Sequence, residues 1–178
     1  MNQERPQAHD PYARLPQTAS FELSSPGFAD GDPLPAKHAY GEDNISPALE
    51  WSGAPEGTKQ FVLSCYDPDA PTPSGFWHWF VVGVAGDATG VPEGAGHVGG
   101  GSIPGTAVQL ANDYGTRDFG GAAPPPGDGP HRYIFAVHAL DTDDLGLDTD
   151  TSPAKASFMM LEHVIGRATL TGTYEITG

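Results

Sequence analysis

Cysteine is nearly absent from this sequence. Cys65 stands alone among 178 residues, so no disulfide can close within the chain. It lies in the apolar run Phe61-Val62-Leu63-Ser64-Cys65-Tyr66, where a buried, unreactive thiol is the expected state. Basic residues are also scarce: eight Lys and Arg face 23 Asp and Glu, giving a formal net charge of −15. The eight form no stripe or cluster. Long-range repulsion therefore excludes a nucleic-acid backbone as the main partner and disfavours an anionic membrane surface. The acidity is read as a solubility feature. No run of 18 apolar residues exists, so no transmembrane segment is expected. Residues 1–15 are polar and proline-rich and lack the apolar centre of a signal peptide, so a cytoplasmic location is expected.

Turn formers are abundant, with 24 glycines and 18 prolines. The apolar residues fall in discrete clusters between them, which suits short strands joined by many turns. Residues 1–19 are expected to form a flexible N-terminal arm, and residues 20–178 a single domain. Strands are predicted near residues 21–23, 46–51, 61–66, 76–84 and 131–140, with a closing strand at 174–176. Residues 85–105 and 115–129 read as loops. In the strand at 76–84, alternation puts Trp77, Trp79 and Val81 on one face and His78, Phe80 and Val82 on the other. One helix is predicted: Ser152 caps it, Pro153 takes the first helical position, and Gly172 stops it. Ala154, Phe158, Leu161, Ile165 and Ala168 would form its apolar stripe. Strands dominate without β-α alternation, so the fold class is mainly β: an antiparallel, Greek-key-like sandwich with a C-terminal helix.

Three segments place polar groups beside strong strands. Asp67 and Asp69 occupy a loop that its prolines make rigid, His78 sits between two tryptophans, and His131-Arg132-Tyr133 opens a strand. Period-two geometry aims His131 and Tyr133 to one side and Arg132 to the other, where pairing with a carboxylate is expected. Each group also has a structural explanation: a satisfied core histidine, turn aspartates, a core tyrosine. His9, His38, His97, His138 and His163 are read as structural or solvated.

The blocks Asp67-Pro68-Asp69-Ala70-Pro71, Trp77-His78-Trp79-Phe80-Val81-Val82 and Pro130-His131-Arg132-Tyr133-Ile134-Phe135 resemble signatures of the phosphatidylethanolamine-binding protein family. They are most similar to its bacterial and archaeal Raf-kinase-inhibitor-like branch. Ser46-Pro47-Ala48-Leu49-Glu50-Trp51, Asn112-Asp113-Tyr114-Gly115 and Pro124-Pro125-Pro126-Gly127 extend the resemblance across the domain. It implies a β-sandwich with a small anion pocket. It also implies ligand contacts at Asp67, Asp69, Pro71, His78, His131 and Tyr133, with backbone groups near Gly121 and Pro124 at the rim. Where the family often has Gly-Pro before the proline run, this chain has Ala122-Ala123-Pro124. A rim that needs glycine geometry at Ala123 would be altered here.

The implied partner is a phosphate-containing head group or a phosphorylated protein, with kinase modulation as an associated role and no cofactor. His78, His131 and Tyr133 would donate to the oxyanion, the aspartates would orient the imidazoles, and binding would strengthen as pH falls. His131 would act in binding alone, so its removal would leave stability nearly unchanged. One alternative is a metal-assisted hydrolase built on Asp67, Asp69, His78 and His131. Serine hydrolysis has no G-x-S-x-G elbow to support it, and the non-enzymatic reading is preferred. The other alternative is an interaction protein with a vestigial pocket. The stripe of the late helix would then serve a homodimer, which the resemblance also implies.

Overall fold

The computed structural model describes residues 6–178. The period-two segments form β1 (Ala19–Ser20), β2 (Glu22–Ser24), β3 (Leu49–Ser52), β4 (Gln60–Asp67), β5 (Phe76–Ala85), β6 (Gly90–Val91), β7 (Gly105–Gln109), β8 (His131–Leu140) and β9 (Val164–Tyr174). The one α-helix among the described residues, α1 (Pro153–Met160), precedes β9. A six-stranded sheet runs β1-β9-β8-β4-β5-β7, and a three-stranded sheet runs β2-β3-β6. Every ladder is antiparallel except β1–β9, which is parallel. The mainly-β sandwich with a C-terminal helix is the architecture expected from the sequence.

The large sheet is covered on both faces. Its inner face sends Phe61, Leu63, Tyr133, Phe135, Val137 and Leu170 against Leu23, Leu49, Trp51 and Val91 of the small sheet. Its outer face sends Val62, Phe80 and Leu140 under Ala156 and Met160 of α1. Burial on both sides is why β4 and β8 read as nearly continuous apolar runs.

The long late helix is not formed. Ser152 does cap a helix, accepting the Lys155 N–H, but α1 ends at Met160 after eight residues. Residues Val164–Tyr174 are instead a strand paired with β8 along its whole length. A second period was present there: Ala168, Leu170 and Gly172 alternate with Arg167, Thr169 and Thr171. The β-branched residues favour the strand. Gly172 does not stop a helix. It faces the core opposite Tyr133, where a Cβ would lie 2.6 Å from Leu34 Cγ. The buried helix residues are Pro153, Ala156 and Met160, whereas Phe158 is 78% exposed. The chain beyond Tyr174 does not form the closing strand expected at 174–176.

Of the arm expected at residues 1–19, residues 1–5 lie outside the described residues, and residues 6–19 make specific contacts along the sheet. Ala8 N–H donates to Asp69, Arg132 donates to the Ala8 carbonyl, and the Tyr12 hydroxyl meets Ser64 Oγ at 3.3 Å. Residues Pro11–Arg14 form a 3-10 turn whose cap, Asp10, accepts the Tyr12 N–H.

The orientation of α1 has a measurable consequence. Met160→Ala is expected to cost about 2–5 kcal/mol through a core cavity. Phe158→Ser should stay within about 0.5 kcal/mol of wild type in urea denaturation. Equal losses in the two variants would contradict the observed helix face.

Candidate functional site

Strands β8, β4 and β5 are neighbours, and antiparallel pairing brings the C-terminal end of β4 beside the N-terminal ends of β5 and β8. Asp67 closes β4 opposite Phe76, and His131 opens β8. Three segments distant in sequence thus meet at one end of the sheet by ladder geometry alone.

His78 reaches the site through a bulge. Cys65 pairs with Trp79 and Tyr66 pairs with Trp77, so His78 is the extra residue on β5. A bulge re-aims the side chains around it. Trp77 turns to the outer face and meets Phe80, at 5.4 Å between ring centroids. His78 turns inward and meets Tyr133 edge-on at 5.1 Å. Strict alternation had put Trp77 with Trp79, and His78 with Phe80. The bulge reverses both assignments.

The two histidines are held in opposite ways. His131 Nδ1 donates to Asp67 Oδ2 at 2.8 Å, and its Nε2 donates to Asp128 Oδ2 at 3.0 Å. All three side chains are at most 4% exposed. Burial by itself lowers the His131 pKa, but the hydrogen bonds and charges of Asp67 and Asp128 outweigh it and the net shift is upward. His78 Nδ1–H donates to the carbonyls of Gly120 (2.7 Å) and Gly121 (3.1 Å). Burial dominates at His78 and lowers its pKa, so the ring is held neutral. That tautomer leaves Nε2 as an acceptor, and it has no hydrogen-bond partner among the described residues.

Asp67, Pro71, His78, His131 and Tyr133 line one cavity of about 250 Å³, together with Thr72, Phe76, Tyr114, Ala123 and Pro125. The Tyr133 hydroxyl lies beside the Ala123 N–H, and burial together with the Asp67 charge keeps it protonated. Tyr114 donates to the Gly121 carbonyl at 2.9 Å and stacks on Tyr40. Tyr114 belongs to the Asn112-Asp113-Tyr114-Gly115 block, but nothing local marked it as a site residue. Its place depends on the 116–121 loop folding back over β5.

Three expected contacts lie elsewhere. Asp69 accepts two side-chain bonds and one backbone bond from Arg132, at 2.8, 2.8 and 3.0 Å. Burial opposes that charge, but Arg132 outweighs it and holds the carboxyl below its usual range. Asp69 faces a separate cavity of about 370 Å³, which His131 and Asp128 also line. The Gly121 N–H donates to Asn44, and its carbonyl holds His78 and Tyr114. Gly121 and Pro124 are absent from the cavity lining, where Ala123 and Pro125 stand instead. Ala123 does not have positive φ, so alanine in place of glycine creates no backbone strain at the rim.

Two of the four groups named for a hydrolase are engaged in internal bonds. Asp69 is engaged by Arg132, and both His131 nitrogens are engaged by carboxylates. Among the described residues no group of three or more His, Cys, Asp or Glu side chains is placed to hold a metal. No helix among them is long and apolar enough to cross a membrane.

The His131 bridge also makes stability depend on pH. A raised folded pKa means that the stabilisation is complete below about pH 6.5, the unfolded value, and is lost as pH rises through the folded value. His131→Ala would leave the buried Asp67 carboxylate without its imidazolium. A loss of about 3–5 kcal/mol is expected near pH 6, with a flatter pH profile above it. This replaces the near-neutral effect expected from sequence. An unchanged unfolding curve would remove the bridge from the fold's energetics.

Comparison with known proteins gives the same reading of the whole chain. The family model described as phosphatidylethanolamine-binding protein matches residues 24–175. The UPF0098 protein YbcL of Escherichia coli is 44% identical over 165 residues, covering 90% of each chain. The crystal structure of E. coli YbcL, described as a member of the mammalian PEBP family, superposes with a TM-score of 0.85 at 43% identity. It covers 89% of this chain and all of that one. A putative phosphatidylethanolamine-binding protein homologue from Chlamydia trachomatis gives 0.76 at 31% identity, covering 89% of this chain and 99% of its own. With a family model, a curated relative and a solved structure all matching over most of its length, this chain belongs to the phosphatidylethanolamine-binding protein family.

Proposed function

We propose that the cavity between Asp67, His78 and Tyr133 binds the phosphate of a small head group of the phosphoethanolamine kind, and takes up a proton as it does so. The observation that carries this reading is the locked tautomer of His78. Its Nδ1–H is engaged by Gly120 and Gly121, so the atom left for a ligand is Nε2. In the free protein burial keeps that ring neutral. An arriving phosphate brings the negative charge that favours imidazolium, so oxyanion and proton bind together. The Tyr133 hydroxyl is the second donor. An ammonium group on the ligand would be drawn toward Asp67.

The donor set is smaller than the sequence suggested, because His131 already gives both of its protons to carboxylates. His131 acts here as a positioning residue that holds Asp67. A volume of about 250 Å³ suits a head group rather than a whole lipid, since pockets for larger organic ligands start near 300 Å³. We favour binding over catalysis, because Asp69 and His131 are engaged in internal bridges and the remaining groups form no nucleophile–base pair.

Isothermal titration with phosphoethanolamine tests this. Affinity should rise from about pH 8 to about pH 6, with proton uptake read from the dependence of the heat on buffer ionisation. His78→Ala should abolish binding. Tyr133→Phe should weaken it by about 1–2 kcal/mol. Undiminished affinity in His78→Ala, or binding without proton uptake near neutral pH, would refute the assignment.

A further inference from the structure

The outer face of the large sheet carries a second cavity that shares no lining residue with the first. It measures about 270 Å³ and lies between the Pro11–Arg14 turn, strands β4, β5, β8 and β9, and α1. Tyr12, Leu15, Trp77, Phe158, Met160 and Leu161 make its walls almost wholly apolar. Phe158 stands at the rim with 78% of its surface exposed.

The floor is polar. A buried relay joins the Tyr12 hydroxyl to Ser64 Oγ (3.3 Å), Ser64 Oγ to His138 Nε2 (3.3 Å), and the Arg167 Nε–H to His138 Nδ1 (3.1 Å). The Arg167 guanidinium lies over the Tyr12 ring, 5.0 Å from its centroid. Its terminal nitrogens have no carboxylate partner among the described residues, although the chain carries 23 Asp and Glu. Arg117 and Arg132 by contrast each hold an aspartate. Asp10 is the carboxylate whose field reaches Arg167, yet among the described residues it forms no ion pair and caps the Tyr12 N–H instead.

The neighbours of Arg167 cannot balance its charge. Burial, with Arg167 adding to it, depresses the His138 pKa to about 3, so that ring is neutral. Burial pushes the Tyr12 hydroxyl up to about 12, so it stays protonated. The result is a half-buried guanidinium beside an apolar hollow, with Nε bonded to His138 and its two terminal nitrogens without a hydrogen-bond partner among the described residues. A cation in such a place is costly without an anion, and a carboxylate fits the fork through two parallel hydrogen bonds.

We propose that this cavity is a binding site for an apolar monocarboxylate, with the carboxylate on Arg167 and the hydrocarbon between Trp77, Met160 and Phe158. Charge complementarity selects this occupant over a second copy of the chain. Two copies would bring together molecules of net charge −15 each, whereas a fatty acid carries a single negative charge, directed at the one cation of the floor. The site is independent of the phosphate pocket.

The experiment compares octanoate with octan-1-ol on the full chain by isothermal titration, with sedimentation run in parallel. Octanoate should bind at least about tenfold more tightly than the alcohol. Arg167→Gln should erase that preference, and Phe158→Ser should weaken both ligands alike. His78→Ala, or saturating phosphoethanolamine, should leave octanoate binding intact. Equal affinity of wild type for acid and alcohol would overturn the proposal, as would binding of neither. Loss of octanoate binding in His78→Ala would move the ligand to the other pocket. A dimer that Phe158→Asp dissociates and octanoate does not perturb would give the face to a second copy. The wild-type comparison decides the matter even where the Arg167 variant fails to fold.

Discussion

The buried bridge Asp67–His131–Asp128 is the interaction on which the rest of the site depends. It joins the end of β4, the start of β8 and the Pro/Gly loop ahead of β8 through one imidazole, at 2.8 and 3.0 Å. The Asp67 carboxylate alone would be costly at this depth, and the imidazolium beside it offsets that cost. The bridge also sets what the pocket can offer. It removes His131 from the donor set and orients Asp67, whose other oxygen accepts the Asp69 N–H at 2.7 Å.

Two histidines a few ångströms from a common cavity therefore carry opposite protonation preferences, each for a local reason. His131 is charged because carboxylates accept from both of its nitrogens. His78 is neutral because burial in an aromatic surround of Phe76, Tyr114 and Tyr133 outweighs its bonds to the Gly120 and Gly121 carbonyls. A site with one histidine held charged and one held neutral has a fixed internal pair and a free proton acceptor. Under the proposed function, that arrangement would couple ligand binding to proton uptake.

The same logic separates the two faces of the large sheet. Inside the pocket His131 and Asp67 engage each other, leaving His78 and Tyr133 as its neutral polar groups. On the outer side His138 and Arg167 form a hydrogen bond that leaves the positive charge uncancelled. The pocket at the strand ends and an oppositely composed cavity thus share strands β4, β5 and β8, and alternate residues of one strand line different cavities.

The sequence alone determined the class of fold and the chemical inventory of the site. Alternating apolar clusters between turn formers require strands, and the period of two at residues 131–133 separates His131 and Tyr133 from Arg132 whatever they touch. The resemblance of ordered blocks selected Asp67, Pro71, His78, His131 and Tyr133, and these do converge on one cavity. Tertiary structure decided what local pattern left ambiguous. Residues 164–174 carry both a helical and a strand period, and pairing with β8 chose the strand. His78 faces the pocket because of a bulge, and a bulge is defined only by the partner strand. Asp69 went to Arg132 and His131 to two aspartates because a side chain's partner depends on which distant segments the ladders bring within hydrogen-bonding reach. A one-dimensional pattern holds no record of that distance.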